Sequence, residues 1–408
     1  MTFEKLYLYA LILMVSLWIP FPMASSPSIA LFGLVVIYGA LTKKLTFNWN
    51  WIFFGFVLLY MTYVLFCIPS KDAHHAMQDL EHKLSFLVFP ILFSFQPTVK
   101  IERKLLLFYF SIACLLLGSY FVLQAVYHYS ISGQTNYFHS STFAPTHHPS
   151  YVSAFFCLAI FFLLTEYIPS ESKKHQRIAW GISFFFVLLH LPLESLSGIL
   201  LLGSLISFLV LRWAWKKFSA GIFFTFLLSG ILCSQLILWI QPSLKDNLSY
   251  TSNLVTHYVE SPTQFIQEHP KDMSGNQARL VIWTITTQLI MDHPFGIGLG
   301  NLEQEMRQRL VYLHQDELVE KNYNPHNQFL QIAAEIGVFG ISLFCALLFL
   351  LVRFAWKRKD LTFLFLLFSL ILNSLFESML QRQSGIVFYL MFFSLFLTVL
   401  QKPKTSEA

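Results

Sequence analysis

The chain has 408 residues, and a few short clusters in it have the residue types and spacing for chemistry. His326 and Asn327 stand in N-P-H-N (324–327), immediately before a long apolar run. Near neutral pH an imidazole can take a proton from a hydroxyl. Upstream, Arg279 and Trp283 share the stretch S-G-N-Q-A-R-L-V-I-W, which leads into D-H-P-F-G-I-G-L-G-N. A guanidinium binds anionic oxygens through directed, charge-assisted hydrogen bonds. Gly296, Gly298 and Gly300 permit a tight backbone turn after it. Glu335 lies inside an apolar run and Glu377 near the end of the next. Carboxylates in such places are costly, and are paired or functional as a rule. Each cluster also has a plainer reading. A histidine at the edge of an apolar run is often structural, and an arginine on a surface helix can simply extend its head into water.

These side chains need elements to position them. Asn324 can cap a helix, and Pro325 suits its first turn, where a missing N–H costs nothing. Counting about 100° per residue, Leu330, Ala333, Gly337 and Gly340 continue a stripe of mostly small residues beneath His326. Small residues let a second helix approach closely in a bilayer. The expectation is a histidine held at the mouth of a helix bundle by a tightly packed stem. The segment 274–291 reads as a separate helix on the membrane surface, with Leu280, Trp283, Thr287 and Ile290 along one face.

The composition points to a bilayer. The chain is 55% hydrophobic and 12% charged, with a mean hydropathy of +0.58. Apolar runs of about 18 residues or more recur throughout, as in a polytopic, all-α membrane protein. About twelve spans are expected, near 6–23, 27–42, 51–68, 84–99, 105–128, 150–168, 178–192, 195–211, 218–240, 328–352, 361–377 and 385–400. The first reads as a retained helix, not a cleaved leader. With the N-terminus inside, 18 of the 27 basic residues fall on inner loops and tails. The short outer loops then hold Lys71, Lys83 and Arg382, so the charge rule gives N-in, C-in. Domain expectations follow: a transmembrane bundle over 1–240, a large outer loop over 241–327, and a C-terminal bundle with a short tail over 328–408. The net charge of +5 is spread over short basic clusters between spans, which does not suggest a nucleic-acid partner. The inner connectors leave no room for a nucleotide-binding domain, and there is no G-x-x-x-x-G-K-[ST]. The five cysteines lie in apolar runs without metal-ligand spacing and read as small core residues.

His326-Asn327, nine residues, then Gly337-x-x-Gly340 resembles the signature of the O-antigen ligase and polymerase superfamily. Arg279-x-x-x-Trp283 followed by Pro294-x-Gly-x-Gly is similar to that family's second marked segment. The resemblance covers the architecture of the whole chain, and specific motifs only across about 274–340. It implies a bacterial inner-membrane enzyme whose active site faces the periplasm. Such an enzyme takes a glycan from undecaprenyl diphosphate and transfers it to a hydroxyl of a glycan or lipid acceptor, without metal or other cofactor. The resemblance makes Arg279 a diphosphate ligand and His326 the general base or aligner of the acceptor. Asn327 and Trp283 join them in substrate binding, and Pro325, Gly337 and Gly340 form the motif's structural part.

One departure follows from the same comparison. The family commonly carries a Ser-Arg pair whose arginine is a second diphosphate ligand, whereas here Ser195 is followed by Leu196. Another outer cation then substitutes, Lys83 first and Arg382 next, or the chain is a divergent member. His147 and His148 can bind glycan or acceptor, but a polar helix cap is the preferred reading. Asp79 and Glu81 offer carboxylates suited to Mg²⁺ or Mn²⁺, against the plainer reading of a solvated loop. Within the superfamily the alternatives to a ligase are a polymerase and a protein O-oligosaccharyltransferase. A flippase or transporter is the reading from another class. It predicts ionisable residues spread through several spans, whereas here polar residues crowd the outer loops. A membrane scaffold leaves the His-Asn to Gly-x-x-Gly spacing unexplained.

Overall fold

A computed structural model of the chain describes residues 2–98, 101–217, 256, 260–261, 275–321 and 324–399. Its helices are α1 (Phe3–Ser16), α2 (Ser25–Leu41), α3 (Trp51–Cys67), α4 (Ala73–Lys83), α5 (Ser85–Ser94), α6 (Arg103–Ser132), α7 (Ser140–Phe143), α8 (Pro149–Phe162), α9 (Lys173–Leu193), α10 (Leu196–Lys217), α11 (Gly275–Asp292), α12 (Leu302–Tyr312), α13 (Asp316–Lys321), α14 (Gln328–Lys357), α15 (Leu361–Ser374) and α16 (Gln383–Val399). The chain is mostly helical, as expected.

Among the described residues, six helices are long and apolar enough to cross a membrane: Pro22–Leu41, Arg103–Ser132, Pro149–Ser170, Lys173–Leu193, Leu196–Trp215 and Gln328–Lys357. Three shorter apolar helices, Trp51–Cys67, Leu361–Ser374 and Gln383–Thr398, accompany them. The span expected near 218–240 lies outside the described residues. Over 84–99 the structure has the ten-residue α5, with Pro90 inside it, ending in a strand. That strand, β2 (Phe95–Pro97), pairs antiparallel with β1 (Leu45–Phe47), placing Phe47 opposite Phe95. The first expected span is cut short in the same way, because α1 stops at Ser16, ahead of Pro20 and Pro22.

The residues fall into two compact units. One comprises 1–202, 293–302 and 326–408, and the other 203–292 and 303–325. The first unit is built around α8, every residue of which is buried. Pro149 opens that helix and His148 caps it by accepting from the Ser150 N–H at 3.4 Å. Aromatic rings pack it on three sides. Phe156 stacks on Phe186 of α9 at 4.8 Å, Phe161 on Phe365 of α15 at 4.5 Å, and Phe155 meets Phe388 of α16 at 4.7 Å. Helix association in lipid depends on such close packing, since lipid is as apolar as the side chains. The outward face carries exposed Leu34, Leu123, Phe184, Leu191 and Phe339, which suits a lipid surround. At one end, Arg103 ties α6 to Glu166 at 2.7 Å and to Asp360, the cap of α15, at 2.6 Å.

In the second unit α11 buries Ala278, Val281, Ile282, Ile285 and Leu289. This is not the face predicted from sequence: Leu280, Trp283 and Ile290 are half-buried and Thr287 is exposed. Thr286 of α11 approaches the Met306 sulfur of α12 at 3.9 Å, and Arg309 of α12 pairs with Asp292.

Candidate active site

The histidine stands at the start of α14, but not where the sequence put it. Asn327 caps the helix, its Oδ1 accepting from the Phe329 and Leu330 N–H groups at 2.9 and 3.1 Å. Asn324 is not the cap, and Pro325 and His326 lie ahead of the first turn. His326 has φ +45°, a left-handed conformation that histidine tolerates better than most residues. Its Nδ1 lies 2.9 Å from Oε2 of Glu377, and both side chains are largely buried. A carboxylate can only accept, so Nδ1 is the donor in this contact. Glu377 thereby gains the partner that the sequence left unnamed.

The stem is also built differently. α14 breaks at Ile336 and Gly337, where Gly337 takes φ +66° and ψ −164°. The break leaves backbone groups unpaired within the helix, and the glycine-rich loop pairs them. Ile297 N–H donates to the Ala334 carbonyl at 2.9 Å and Gly298 N–H to the Glu335 carbonyl at 3.1 Å, while Val338 N–H donates to the Pro294 carbonyl at 2.9 Å. A Cβ on Gly337 would lie 2.3 Å from the carbonyl carbon of Phe295. A Cβ on Gly340 would lie 2.1 Å from the Ile336 side chain. The two glycines therefore admit a backbone loop and a side chain of their own helix. A stripe for an approaching helix was the wrong physical account of them.

The same loop reaches α3 and α4. Leu299 N–H donates to the Phe66 carbonyl at 2.9 Å, and Asn301 Oδ1 accepts from the Lys71 N–H at 2.9 Å. Gly300, at φ +80°, sits where a Cβ would lie 2.6 Å from the Ala76 nitrogen.

Arg279 and Trp283 belong to the second unit, one turn apart on the half-buried side of α11. The Trp283 indole N–H donates to the Pro325 carbonyl at 2.8 Å, within the same unit. Arg382 is exposed, in the turn between α15 and α16. Leu196 is 44% exposed at the start of α10, beside a buried Ser195 whose hydroxyl lies 3.0 Å from that of Ser150.

Lys83 lies elsewhere than a ligand-binding role would need. It is fully buried, donates to the Leu380 carbonyl at 3.0 Å and lies over the Tyr63 ring at 5.4 Å. Burial pulls its ammonium below the ordinary value, while the Glu335 and Asp79 carboxylates pull the other way.

His147 is buried too, with Nε2 2.8 Å from the Ile19 carbonyl and Nδ1 2.9 Å from the Ser384 hydroxyl. Burial lowers it to about 4, so it is neutral at physiological pH. Asp79 and Glu81 are both on α4. Among the described residues no group of three or more His, Cys, Asp or Glu is placed to hold a metal ion.

Residues 178–345 match a family model described as O-antigen ligase. This part of the chain is similar to the O-antigen ligase family. No curated protein matches the chain. The family is of glycosyltransferase type and acts on lipid-linked glycans and acceptors in general, and with its apolar helices the chain is an integral membrane protein. The O-antigen ligase match takes in Ser195, Leu196, Arg279, the glycine-rich loop, His326 and the broken part of α14. It ends at 345, short of Glu377 and Arg382, and begins well after Lys83. The carboxylate that holds His326 thus comes from outside the matched region.

Proposed function

We propose that the protein is an O-antigen ligase-like glycosyltransferase. It moves a glycan from undecaprenyl diphosphate to an acceptor hydroxyl, on lipid A core, at the periplasmic face of the bacterial inner membrane and without metal. The observation that carries this reading is the His326–Glu377 pair at 2.9 Å, placed at the start of the helix that bears the family signature. With its proton on Nδ1, the imidazole offers Nε2 as the base. The acceptor oxygen attacks the anomeric carbon, and its proton passes to Nε2. The bond from that carbon to the diphosphate oxygen breaks, and the leaving group departs with the electron pair. Attack opposite the leaving group inverts the anomeric centre. Negative charge grows on the diphosphate, and Arg279 is the group of the family motif suited to hold it. Trp283 and Asn327 assist substrate binding, and Arg382 is the accessible candidate for the second cation.

The distribution of Lys and Arg supports N-in, C-in, with the loop bearing Arg279 and the start of α14 on the periplasmic side. His326→Ala and Arg279→Ala should each lose transfer by about 10²-fold or more while the protein still inserts. Retained transfer in His326→Ala would remove the base from the mechanism. Deletion in the native host, with surface glycans resolved on a gel, tests the acceptor. Loss of polymer from the lipid A core supports the ligase. Single-repeat caps identify a polymerase, and under-glycosylated proteins beside unchanged surface polysaccharide identify an oligosaccharyltransferase.

A further inference from the structure

Two charged side chains stand out for complete burial: Lys83 at 0% and Glu335 at 1% exposure. They carry opposite charge, come from α4 and α14, and hold adjacent residues of one turn, Lys83 the Leu380 carbonyl and Glu335 the Gln381 amide. Asp79, also near Lys83, is only half-buried and can be hydrated. An uncompensated buried charge is strongly destabilising, and the opposite charges of the two offset each other.

Their contacts converge on one segment, the turn over 375–382 that bears Glu377 and Arg382. Gln328, Gln331 and Glu335 fall at i, i+3 and i+7, so they form a polar stripe on one face of the first part of α14. Asn327 Nδ2 donates to the Leu375 carbonyl at 3.3 Å. Gln328 Oε1 accepts from the Leu380 N–H at 2.5 Å, and Gln331 Oε1 from the Ser378 hydroxyl at 3.5 Å. Glu335 Oε1 accepts from Gln381 Nε2 at 2.8 Å and from Gln331. From the other side Lys83 grips the Leu380 carbonyl at 3.0 Å. Glu335 Oε2, Gln328 Nε2 and Gln381 Oε1 are buried without a hydrogen-bond partner. Buried atoms of this kind are costly.

We infer that Lys83 and Glu335 form a buried counter-ion pair that positions the 375–382 turn, and so sets Glu377 against His326. Both are positioning residues for the transfer reaction, and Lys83 does not touch the diphosphate. The mechanistic part rests on the glycosyltransferase reading, whereas the placement of the turn does not.

The test combines transfer kinetics from a lipid-diphosphate-linked glycan with hydrogen exchange of the 375–382 amides in detergent-solubilised protein. Lys83→Met leaves Glu335 without its counter-ion. Exchange over 375–382 should speed up, and kcat should fall by about ten- to a hundredfold with donor KM unchanged within error. Lys83→Met/Glu335→Gln removes both charges and keeps the acceptor of Gln381. It should restore slow exchange and return kcat to within about threefold of wild type. Should Lys83→Met not fold, the double variant decides alone: a folded, active protein supports the pair, and a second failure overturns it. A raised donor KM with kcat intact makes Lys83 a substrate ligand and overturns the inference. So does a double variant no better than the single one. If the wild type transfers nothing, the glycosyltransferase reading fails and exchange alone judges the pair.

Discussion

Replacing Gly337 by alanine tests the joint between α14 and the glycine-rich loop. At φ +66° and ψ −164° the position lies where a non-glycine residue costs about 1–3 kcal/mol. The added Cβ would also lie 2.3 Å from the Phe295 carbonyl carbon and 2.7 Å from the Gly296 nitrogen, both backbone atoms that cannot rotate away. Relief requires the loop to move off, and the three backbone hydrogen bonds from Ile297, Gly298 and Val338 go with it. At about 1 kcal/mol each, the total reaches roughly 4–6 kcal/mol. That is a large part of the stability of an ordinary domain, about 5–15 kcal/mol. Gly340→Ala is the matched control, since its Cβ would meet only the Ile336 side chain, whose rotamer can adjust at about 1–3 kcal/mol. Thermal unfolding of detergent-solubilised protein should rank wild type, then Gly340→Ala, then Gly337→Ala. Transfer by Gly337→Ala should fall further than its folded fraction explains, because moving the first part of α14 by about 1 Å can cost roughly a hundredfold. A Gly337→Ala protein within about 1 kcal/mol of wild type, or less perturbed than Gly340→Ala, would refute this account of the break.

Three further outcomes follow from the same geometry. Glu377→Gln keeps an acceptor for Nδ1 but removes the charge that stabilises the imidazolium, so kcat should fall by about 10–100-fold, and an unchanged kcat would uncouple the pair from the reaction. Transfer by wild type in EDTA should be unchanged, whereas strict dependence on Mg²⁺ or Mn²⁺ would favour a metal role for Asp79 and Glu81. His147 is held at about 4 against an ordinary 6.5, so the unfolded chain binds its proton first as pH falls and stability drains away between those values. The loss amounts to about 3 kcal/mol, and His147→Asn should flatten the stability–pH curve over that window; an unchanged slope would place the titration elsewhere.

Much of the fold was legible because a bilayer makes hydrophobic length decisive. The long helices α6, α9, α10 and α14 fall where apolar runs predicted them. Hydropathy misled where short apolar runs met backbone constraints. The run at 84–99 is as apolar as a span, but Pro90 and the pairing of Phe95–Pro97 with Leu45–Phe47 end its helix after ten residues. The break in α14 was equally invisible to periodicity, since Ile336-Gly337 continues a helical pattern. Only a loop some forty residues upstream makes a left-handed glycine necessary there.

Motif spacing singled out His326 and Arg279 but described them as features of their own segments. What holds the histidine is a carboxylate 51 residues downstream, in a turn with no periodic signal of its own. A sign of that turn was nevertheless present in α14. Gln328, Gln331 and Glu335 recur at helical spacing in an otherwise apolar helix, and polar groups so placed require partners. Followed through, the stripe accounts for Lys83 as well. Counting loop cations for the missing arginine made Lys83 a diphosphate ligand, because charge counts record sign and not depth. A lysine with no exposed surface, one hydrogen bond to a carbonyl and a buried carboxylate in reach cannot neutralise a substrate without abandoning Glu335. In the proposed reaction the second cation would be an accessible group, and Arg382 is exposed on the very turn that Lys83 holds.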